Sequence, residues 1–364
     1  MLNNLLIPQS NIIKNHNNVL DGIRGLAVLL VIASHTNGLN LYGQGGIGVW
    51  LFFVLSGFLL TTPFAKEPSV TPSIKYIIKY FVKRILRILP MYYFTLSALL
   101  LLKLINISTY KQHLLFIKAD GHLWSVPQEL VFYLVLPLII FINYKIFKNN
   151  RYVIFTFLII TAYVTFKYPP AFTLHGRPLY IYIFILGIAT SYIFHQIVII
   201  LDKKPLPTIS KIANIIGIII TLVLVFSAKF YVNTFSTILL NKKVLNEAND
   251  RGFLGWEYQW IFAILSCLLI LCTLLSKDGL LTKIFSLKIL RTIGIVGYSM
   301  YLIHYFLIPR FNQIGIVSGN LQFFLVLIIT FILSHITYRF IEHPFMVLSK
   351  KPISRHQTSN EICN

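Results

Sequence analysis

The sequence places an arginine and a histidine eleven residues apart in the apolar run "LDGIRGLAVLLVIASHT", residues 20–36. Eleven steps of 100° come within 20° of three full turns, so Arg24 and His35 share one helix face, about 16 Å apart along the axis. Ionisable side chains in a membrane helix usually face a bundle interior or a wet cavity. His35 is therefore a candidate general base. Alternatively, Arg24 extends to the lipid headgroups and His35 forms an interhelical hydrogen bond.

A second group of basic residues lies in "KYIIKYFVKRILR". Lys75, Lys79 and Lys83 recur every four residues, and Arg84 and Arg87 are one turn apart, so the segment predicts a helix with a basic face. One interpretation is an amphipathic helix at the inner membrane surface, held by anionic lipid. The other is a phosphate site, because paired arginines suit a ligand with several phosphates, such as a cytosolic nucleotide-containing donor.

A third group lies in "GHLWSVPQELVFYLVLP", where His122 and Trp124 precede a carboxylate inside an apolar run. We interpret Trp124 as a residue of the aromatic belt at the outer interface. Glu129 needs a partner at that depth. We expect it either to pair with Arg24 or to hold the His35 ring in one tautomer.

The elements that position these residues are predicted from composition. Of the 364 residues, 56% are hydrophobic and only 12% are charged, which is typical of a polytopic all-α membrane protein and excludes an ordinary soluble domain. Glycines at positions 45, 46 and 48 predict close helix packing. The sequence predicts ten spans, at about 20–37, 45–62, 89–106, 123–142, 152–167, 179–200, 212–228, 256–275, 292–311 and 321–340.

The net charge of +21 does not indicate nucleic-acid binding, because Lys and Arg lie mostly in short loops between apolar runs. The loops on one side hold most of them, which predicts that both termini are cytoplasmic. The N-terminus lacks the pattern of a cleaved signal peptide. We therefore expect an N-terminal extension over 1–19, a transmembrane domain over 20–344 and a cytoplasmic tail over 345–364. Of the loops predicted on the outer side, the loop 229–255 has the length best suited to contact a substrate there. The cysteine spacing predicts no disulfide framework and no metal site.

Several motifs together resemble the membrane-bound acyltransferase-3 family over most of the chain, from about residue 21 to 344. The family's Arg-x10-His pattern is matched on the first span, and its Arg-x-x-Arg pattern by Arg84 and Arg87. "GYSMYLIH" resembles the family's "SYxLYLxH", with Gly297 in place of Ser, and "IEHPF" resembles its Glu-x-Pro motif. The pattern "H-x-W-S-L-x-x-E-x-x-F-Y" is matched with Val126 in place of Leu, by His122, Trp124, Ser125, Glu129, Phe132 and Tyr133.

The resemblance implies an O-acyltransferase of the bacterial cytoplasmic (inner) membrane. Such a protein takes an acyl group, usually acetyl, from cytoplasmic acetyl-CoA. It transfers the group to a hydroxyl on the other side, on a carbohydrate such as lipopolysaccharide O-antigen or another surface polysaccharide. We expect a membrane-presented acceptor on a lipid carrier, and no metal.

We expect Arg84, Arg87 and Lys83 to hold the CoA phosphates, and His35 to act as base on the acceptor hydroxyl. An acyl-histidine intermediate is the alternative chemistry. Oxyanion donors are Arg24, the Trp124 N–H or a serine hydroxyl, for which Ser125 is a candidate. Substrate contact or support is expected from His122, Tyr301 and His304, the last two sharing a face; interhelical hydrogen bonding is the alternative for them.

A transporter or flippase of envelope polysaccharide assembly is the rival class, since it would also bury ionisable residues. Only the enzyme hypothesis predicts release of CoA thiol that depends on His35.

Overall fold

The structure is a computed structural model that describes residues 18–66, 73–169, 174, 177–203, 207–240, 258–276 and 279–349. Apart from one isolated bridge between Leu174 and Arg177, the regular structure of these residues is helical. Nearly all of the predicted extension 1–19, most of the tail 345–364 and the second half of the 229–255 loop lie outside the described residues. The helices are α1 Asn18–Thr36, α2 Gly45–Lys66, α3 Ile74–Leu101, α4 Ile107–Leu114, α5 Ser125–Lys145, α6 Arg151–Lys167, α7 Ile181–Lys203, α8 Pro207–Phe226, α9 Lys229–Leu240, α10 Gln259–Leu275, α11 Leu280–Phe285, α12 Lys288–Ile295, α13 Gly297–Gln313, α14 Asn320–Thr337 and α15 His343–Leu348.

Seven stretches of the described chain are helical, long and apolar enough to cross a membrane, and a bent pair of helices makes up to eight. Two of the ten predicted spans, 152–167 and 256–275, correspond to α6 and α10. Each has 17 residues, slightly short for a full crossing of about 20 residues. The polytopic helical architecture therefore agrees with the sequence, whereas the count of ten and the side of the termini stay predictions.

The third span differs from its predicted bounds. The sequence predicts an interfacial basic helix followed by a span over 89–106, but the structure has one continuous helix, α3, from Ile74 to Leu101. Ser73 caps its start by accepting a hydrogen bond from the Tyr76 backbone N–H at 3.2 Å. Pro90 lies inside this helix without ending it. The predicted boundary is wrong because hydropathy falls where the helix leaves the apolar layer, while the helix itself continues.

The ninth and tenth predicted spans are also irregular. Helices α12 and α13 meet at Val296 with a bend of 78°, so residues 292–311 do not form one straight span. The last helix continues from α14 through a π-helical turn, Tyr338–Glu342, into α15. The extra residue in a π turn rotates the following side chains relative to an α-helix. Both irregularities place side chains in the central site described below.

Helix α1 lies at the centre of the bundle, and 72% of the residues in its apolar stretch are buried. Its glycines allow backbones to touch: a Cβ on Gly22 would lie 1.8 Å from the Phe285 carbonyl oxygen. In the same way a Cβ on Gly294 would lie 1.8 Å from the Asp21 carbonyl oxygen. On α2, Gly48 packs against the backbone of Ala27, as predicted for the glycines of that span. The contacts of Gly22 and Gly294 hold the part of α1 that carries Arg24 against α11 and α12.

Candidate functional site

Two cavities lie on either side of a shared wall in the centre of the bundle. The larger, about 720 Å³, is termed the histidine cavity; the smaller, about 290 Å³, is the arginine cavity. The polar and aromatic lining of the histidine cavity includes Ser34, His35, Tyr42, His122, Trp124, Arg177, Tyr301, Tyr305 and Asn312. That of the arginine cavity includes Arg24, Phe52, Phe53, Ser56, Arg84, Arg87, Ser125, Glu129, Tyr133, Tyr298 and Tyr301.

The two predicted residues of α1 divide between the cavities. Arg24 lines the arginine cavity and His35 the histidine cavity, so the shared face predicted from their spacing does border both. Arg24 Nη1 donates a 2.5 Å hydrogen bond to Asp21 Oδ1, one turn earlier on α1, and this carboxylate is buried. The ion pair holds the guanidinium in place inside the bundle, which argues against Arg24 extending to the headgroups.

A chain of hydrogen bonds fixes the protonation pattern of His35. His304 Nδ1 lies 3.2 Å from the Met300 carbonyl oxygen, which can only accept, so Nδ1 carries the proton of a neutral His304. Its Nε2 is then an acceptor, and His35 Nδ1, 2.9 Å away, donates to it. A neutral His35 therefore keeps an unprotonated Nε2. This is the arrangement that a general base requires.

The predicted role of Glu129 as the residue that orients His35 does not fit the structure, because His304 occupies that position. Glu129 lines the arginine cavity, where its Oε1 accepts hydrogen bonds from Ser56 Oγ at 3.0 Å and from Tyr133 OH at 2.6 Å. It faces the same cavity as Arg24 without forming an ion pair with it within the described residues. Tyr133 is one helical turn away on α5, so this partner follows from the sequence.

Tyr301 stands in the wall between the cavities. Ser125 Oγ donates a 2.8 Å hydrogen bond to its hydroxyl, which in turn donates to the His122 carbonyl oxygen. His122 Nε2 donates to the Leu302 carbonyl oxygen at 3.2 Å. These bonds tie the start of α5 to α13. Tyr301 therefore has a fixed place in the wall, and Ser125 and His122 hold it there through these hydrogen bonds.

The outer part of the histidine cavity is aromatic and carries one guanidinium. Trp124 is buried, 4% exposed, and Arg177 Cζ lies 4.9 Å from the centre of its ring. The interpretation of Trp124 as a residue of the interfacial belt is therefore wrong, because the turn Gly121–Trp124 folds its ring into the protein. The lining includes Tyr42 and Tyr305, and its described residues include no Asp or Glu.

The predicted phosphate residues differ in their surroundings. Arg84 and Arg87 both line the arginine cavity, whereas Lys83 lines neither cavity. Arg87 Nη1 contacts the Met346 sulfur at 3.9 Å and lies in the field of the buried carboxylate of Glu342. Arg84 makes no hydrogen bond or ion pair to any residue in the described ranges, and its Nε is buried without a partner. Arg84 is the guanidinium most available to an anion.

The sequence did not single out four residues that the structure brings to this site, Asp21, Ser56, Arg177 and Tyr305, and it gave Glu342, the acid of the Glu-x-Pro motif, no role. Two signals were available. Asp21 lies three residues before Arg24, a spacing typical of a helical ion pair. Glu342 is an isolated carboxylate at the end of the last apolar helix, where burial demands a partner; Ser299 Oγ donates to it at 2.9 Å.

An all-helical membrane domain with cationic and histidine-lined cavities back to back has the geometry of a membrane-embedded group-transfer protein. The chain belongs to the acyltransferase-3 family: the family model, described as an acyltransferase domain, matches residues 17–339. The family match confirms the enzyme class that the sequence motifs predicted, an acyltransferase.

Curated relatives cover most of this chain. A Staphylococcus aureus (strain COL) protein, named as an O-acetyltransferase with no substrate in its name, is 28% identical over 90% of this chain and 56% of its own length. The peptidoglycan O-acetyltransferase OatA of Listeria monocytogenes is 25% identical over 89% of this chain and 55% of its own. O-acetyltransferase OatA of S. aureus is 26% identical over 89% and 56%. The chain thus spans a little over half the length of these relatives. No solved structure matches it significantly.

Proposed function

We propose that this protein is an O-acetyltransferase that moves an acetyl group from acetyl-CoA in the cytoplasm to a hydroxyl of a carbohydrate outside the bacterial cytoplasmic membrane. The observation that carries the proposal is the pair of cavities: guanidinium groups on one side of a shared wall and an oriented imidazole on the other. The family and the names of the relatives support acetyl transfer to oxygen.

On the donor side, the arginine cavity faces the cytoplasm in this proposal, in agreement with the distribution of Lys and Arg in the loops. Arg84 is the principal phosphate ligand, because it has no protein partner in the described chain. Arg87 assists from its place beside Glu342. The thioester end of the donor then extends past Ser56 and Glu129 toward the wall at Tyr301.

In the reaction, the acceptor hydroxyl oxygen attacks the thioester carbonyl carbon while its proton passes to His35 Nε2. The C–O bond forms and the C–S bond breaks, and the protonated imidazole returns the proton to the CoA thiolate. His304 holds the His35 ring through the 2.9 Å bond and so favours the tautomer with Nε2 unprotonated. The Tyr301 hydroxyl donates its only proton to the His122 carbonyl oxygen and accepts from Ser125 Oγ, so the fixed tyrosine ring borders the thioester without donating a hydrogen bond to it.

On the acceptor side, the aromatic walls of the histidine cavity suit the apolar faces of a sugar ring. Arg177 adds a positive charge to a lining whose described residues include no carboxylate, which favours an acceptor with an anionic substituent. Peptidoglycan is the first polymer to examine, since one relative is named for it. Lipopolysaccharide O-antigen and other surface polysaccharides are the further candidates.

The test is to express wild type, His35→Ala and the double variant Arg84→Ala/Arg87→Ala at matched membrane levels and to quantify ester-linked acetate on purified envelope polymers. His195→Ala is the matched control, because His195 lies on α7 outside both cavities. We expect ester-linked acetate on the polymers from cells with wild type and with His195→Ala, and none from cells with His35→Ala or the double arginine variant. Acetate that is unchanged by His35→Ala would contradict the catalytic role, and a transport defect without thiol release would favour the flippase.

A further inference from the structure

Among the residues that the structure describes, two line both cavities: Val49 on α2 and Tyr301 on α13. Both side chains are buried, 5% and 7% exposed. Any donor held by the arginines and attacked by an acceptor beside His35 must place its reacting carbon at this wall. The wall therefore surrounds the group that is transferred.

Continuous helix faces lead to the wall from both sides. On α2, positions 45, 46 and 49 line the histidine cavity, and positions 49, 52, 53 and 56 line the arginine cavity. These steps of three and four residues describe one face of a single helix. On α13, Tyr298 and Tyr301 line one cavity, and Tyr301 and Tyr305 line the other, again on one face.

The two wall residues differ in freedom. Tyr301 is fixed by its hydrogen bonds with Ser125 and the His122 carbonyl, and its ring lies 6.5 Å from that of Phe52 in an edge contact. Val49 has no hydrogen-bonding group in its side chain, and it is the aliphatic member of the pair that borders both cavities. The size of the side chain at position 49 thus determines the space available for an acyl chain.

We propose that Val49, which borders both cavities together with the fixed Tyr301, is the residue that limits the acyl group to acetyl. The inference rests on the proposed function, because it assumes that an acyl-CoA enters from the arginine cavity. A methylene more or less in an apolar pocket changes discrimination by roughly 10- to 200-fold. Wild type is expected to bind acetyl-CoA at least tenfold more tightly than propionyl-CoA, and butyryl-CoA more weakly again.

The experiment measures dissociation constants of free CoA and of acetyl-, propionyl- and butyryl-CoA for the full chain in lipid nanodiscs, with wild type, Val49→Ala and Val49→Leu. Val54→Ala is the matched control: Val54 is a fully buried valine of the same helix that lines neither cavity. Val49→Ala should reduce the acetyl-to-propionyl preference at least tenfold. Val49→Leu should weaken acetyl-CoA at least tenfold while leaving free CoA, which has no acyl group, unchanged. Val54→Ala should keep the wild-type ratios between the dissociation constants of acetyl-, propionyl- and butyryl-CoA.

The outcomes separate the two levels of the proposal. If all four proteins bind acetyl-CoA with the same ratio of the acetyl-CoA and propionyl-CoA dissociation constants, the role of Val49 is refuted and the proposed function stands. Equal loss of free CoA and acetyl-CoA in Val49→Leu also refutes it, since the effect is then not on the acyl group. If wild type in a folded, monodisperse state binds neither CoA nor acetyl-CoA, the proposed function fails and the inference with it.

Discussion

Replacing His304 with phenylalanine tests the assignment of His35 as the base. Phenylalanine keeps a ring of similar size at a position that is completely buried, but it removes the acceptor of the 2.9 Å hydrogen bond from His35 Nδ1. The Nδ1–H is then unpaired, or the ring changes to the tautomer in which Nε2 is protonated. Losing a buried partner costs about 1–3 kcal/mol, which corresponds to roughly a 5- to 150-fold fall in kcat. His304 acts through His35 and is a positioning residue.

The assay is the initial rate of CoA thiol release at varied acetyl-CoA concentration, in membranes with the native acceptor polymer. We expect kcat to fall while the KM for acetyl-CoA stays near wild type, because the histidine cavity is separate from the arginines. His304→Gln should recover part of the rate, since its side-chain carbonyl can accept from His35. His195→Phe, on α7 outside both cavities, is the control for a lost imidazole. A kcat for His304→Phe within twofold of wild type would refute the tautomer argument.

Three further predictions concern donor affinity, acceptor choice and folding. Arg84→Ala should raise the Kd for CoA by roughly 10- to 150-fold, which corresponds to the loss of about 1.5–3 kcal/mol from charge-assisted hydrogen bonds. The rise should exceed that of Arg87→Ala, because Arg87 already interacts electrostatically with Glu342. Titration of CoA measures both, and equal effects would contradict the difference in their surroundings. Arg177→Gln should weaken transfer to a muramic-acid-containing oligosaccharide more than to a neutral N-acetylglucosamine oligosaccharide; a uniform loss would exclude an anion site. Gly294→Ala should destabilise the protein by about 1–3 kcal/mol or more, because the added Cβ would overlap the Asp21 carbonyl oxygen of α1. Thermal unfolding in detergent measures the change, and an unchanged midpoint would contradict the contact.

Local spacing was sufficient for part of the site. The Arg24–His35 spacing predicted that both residues border the interior, and the arginine pair on α3 was predicted as a ligand site from one turn of helix. These features are periodic along one element, so an isolated helix already contains them.

Long-range contacts were not accessible in that way. The bond between His35 and His304 joins residues 269 positions apart, and no pattern near either one predicts it. The bend at Val296 decides which face of α13 meets the site, yet it falls in a segment whose hydropathy is continuous. For the same reason the two partners considered for Glu129, Arg24 and His35, differ from the Ser56 and Tyr133 that the structure gives it: the sequence shows that a buried carboxylate needs partners but not which ones.

The wall of Val49 and Tyr301 has a consequence for the energetics of the cell. A protein with a cavity on each side of a membrane is at risk of becoming a leak for protons and ions, which would dissipate the voltage that drives ATP synthesis and transport. In the proposed function the donor and the acceptor enter from opposite sides, so Val49 and Tyr301, which border both cavities, stand where such a leak would have to pass. Under the proposed function, the same two side chains that border the transferred group would therefore also set the resistance of the membrane to protons and ions.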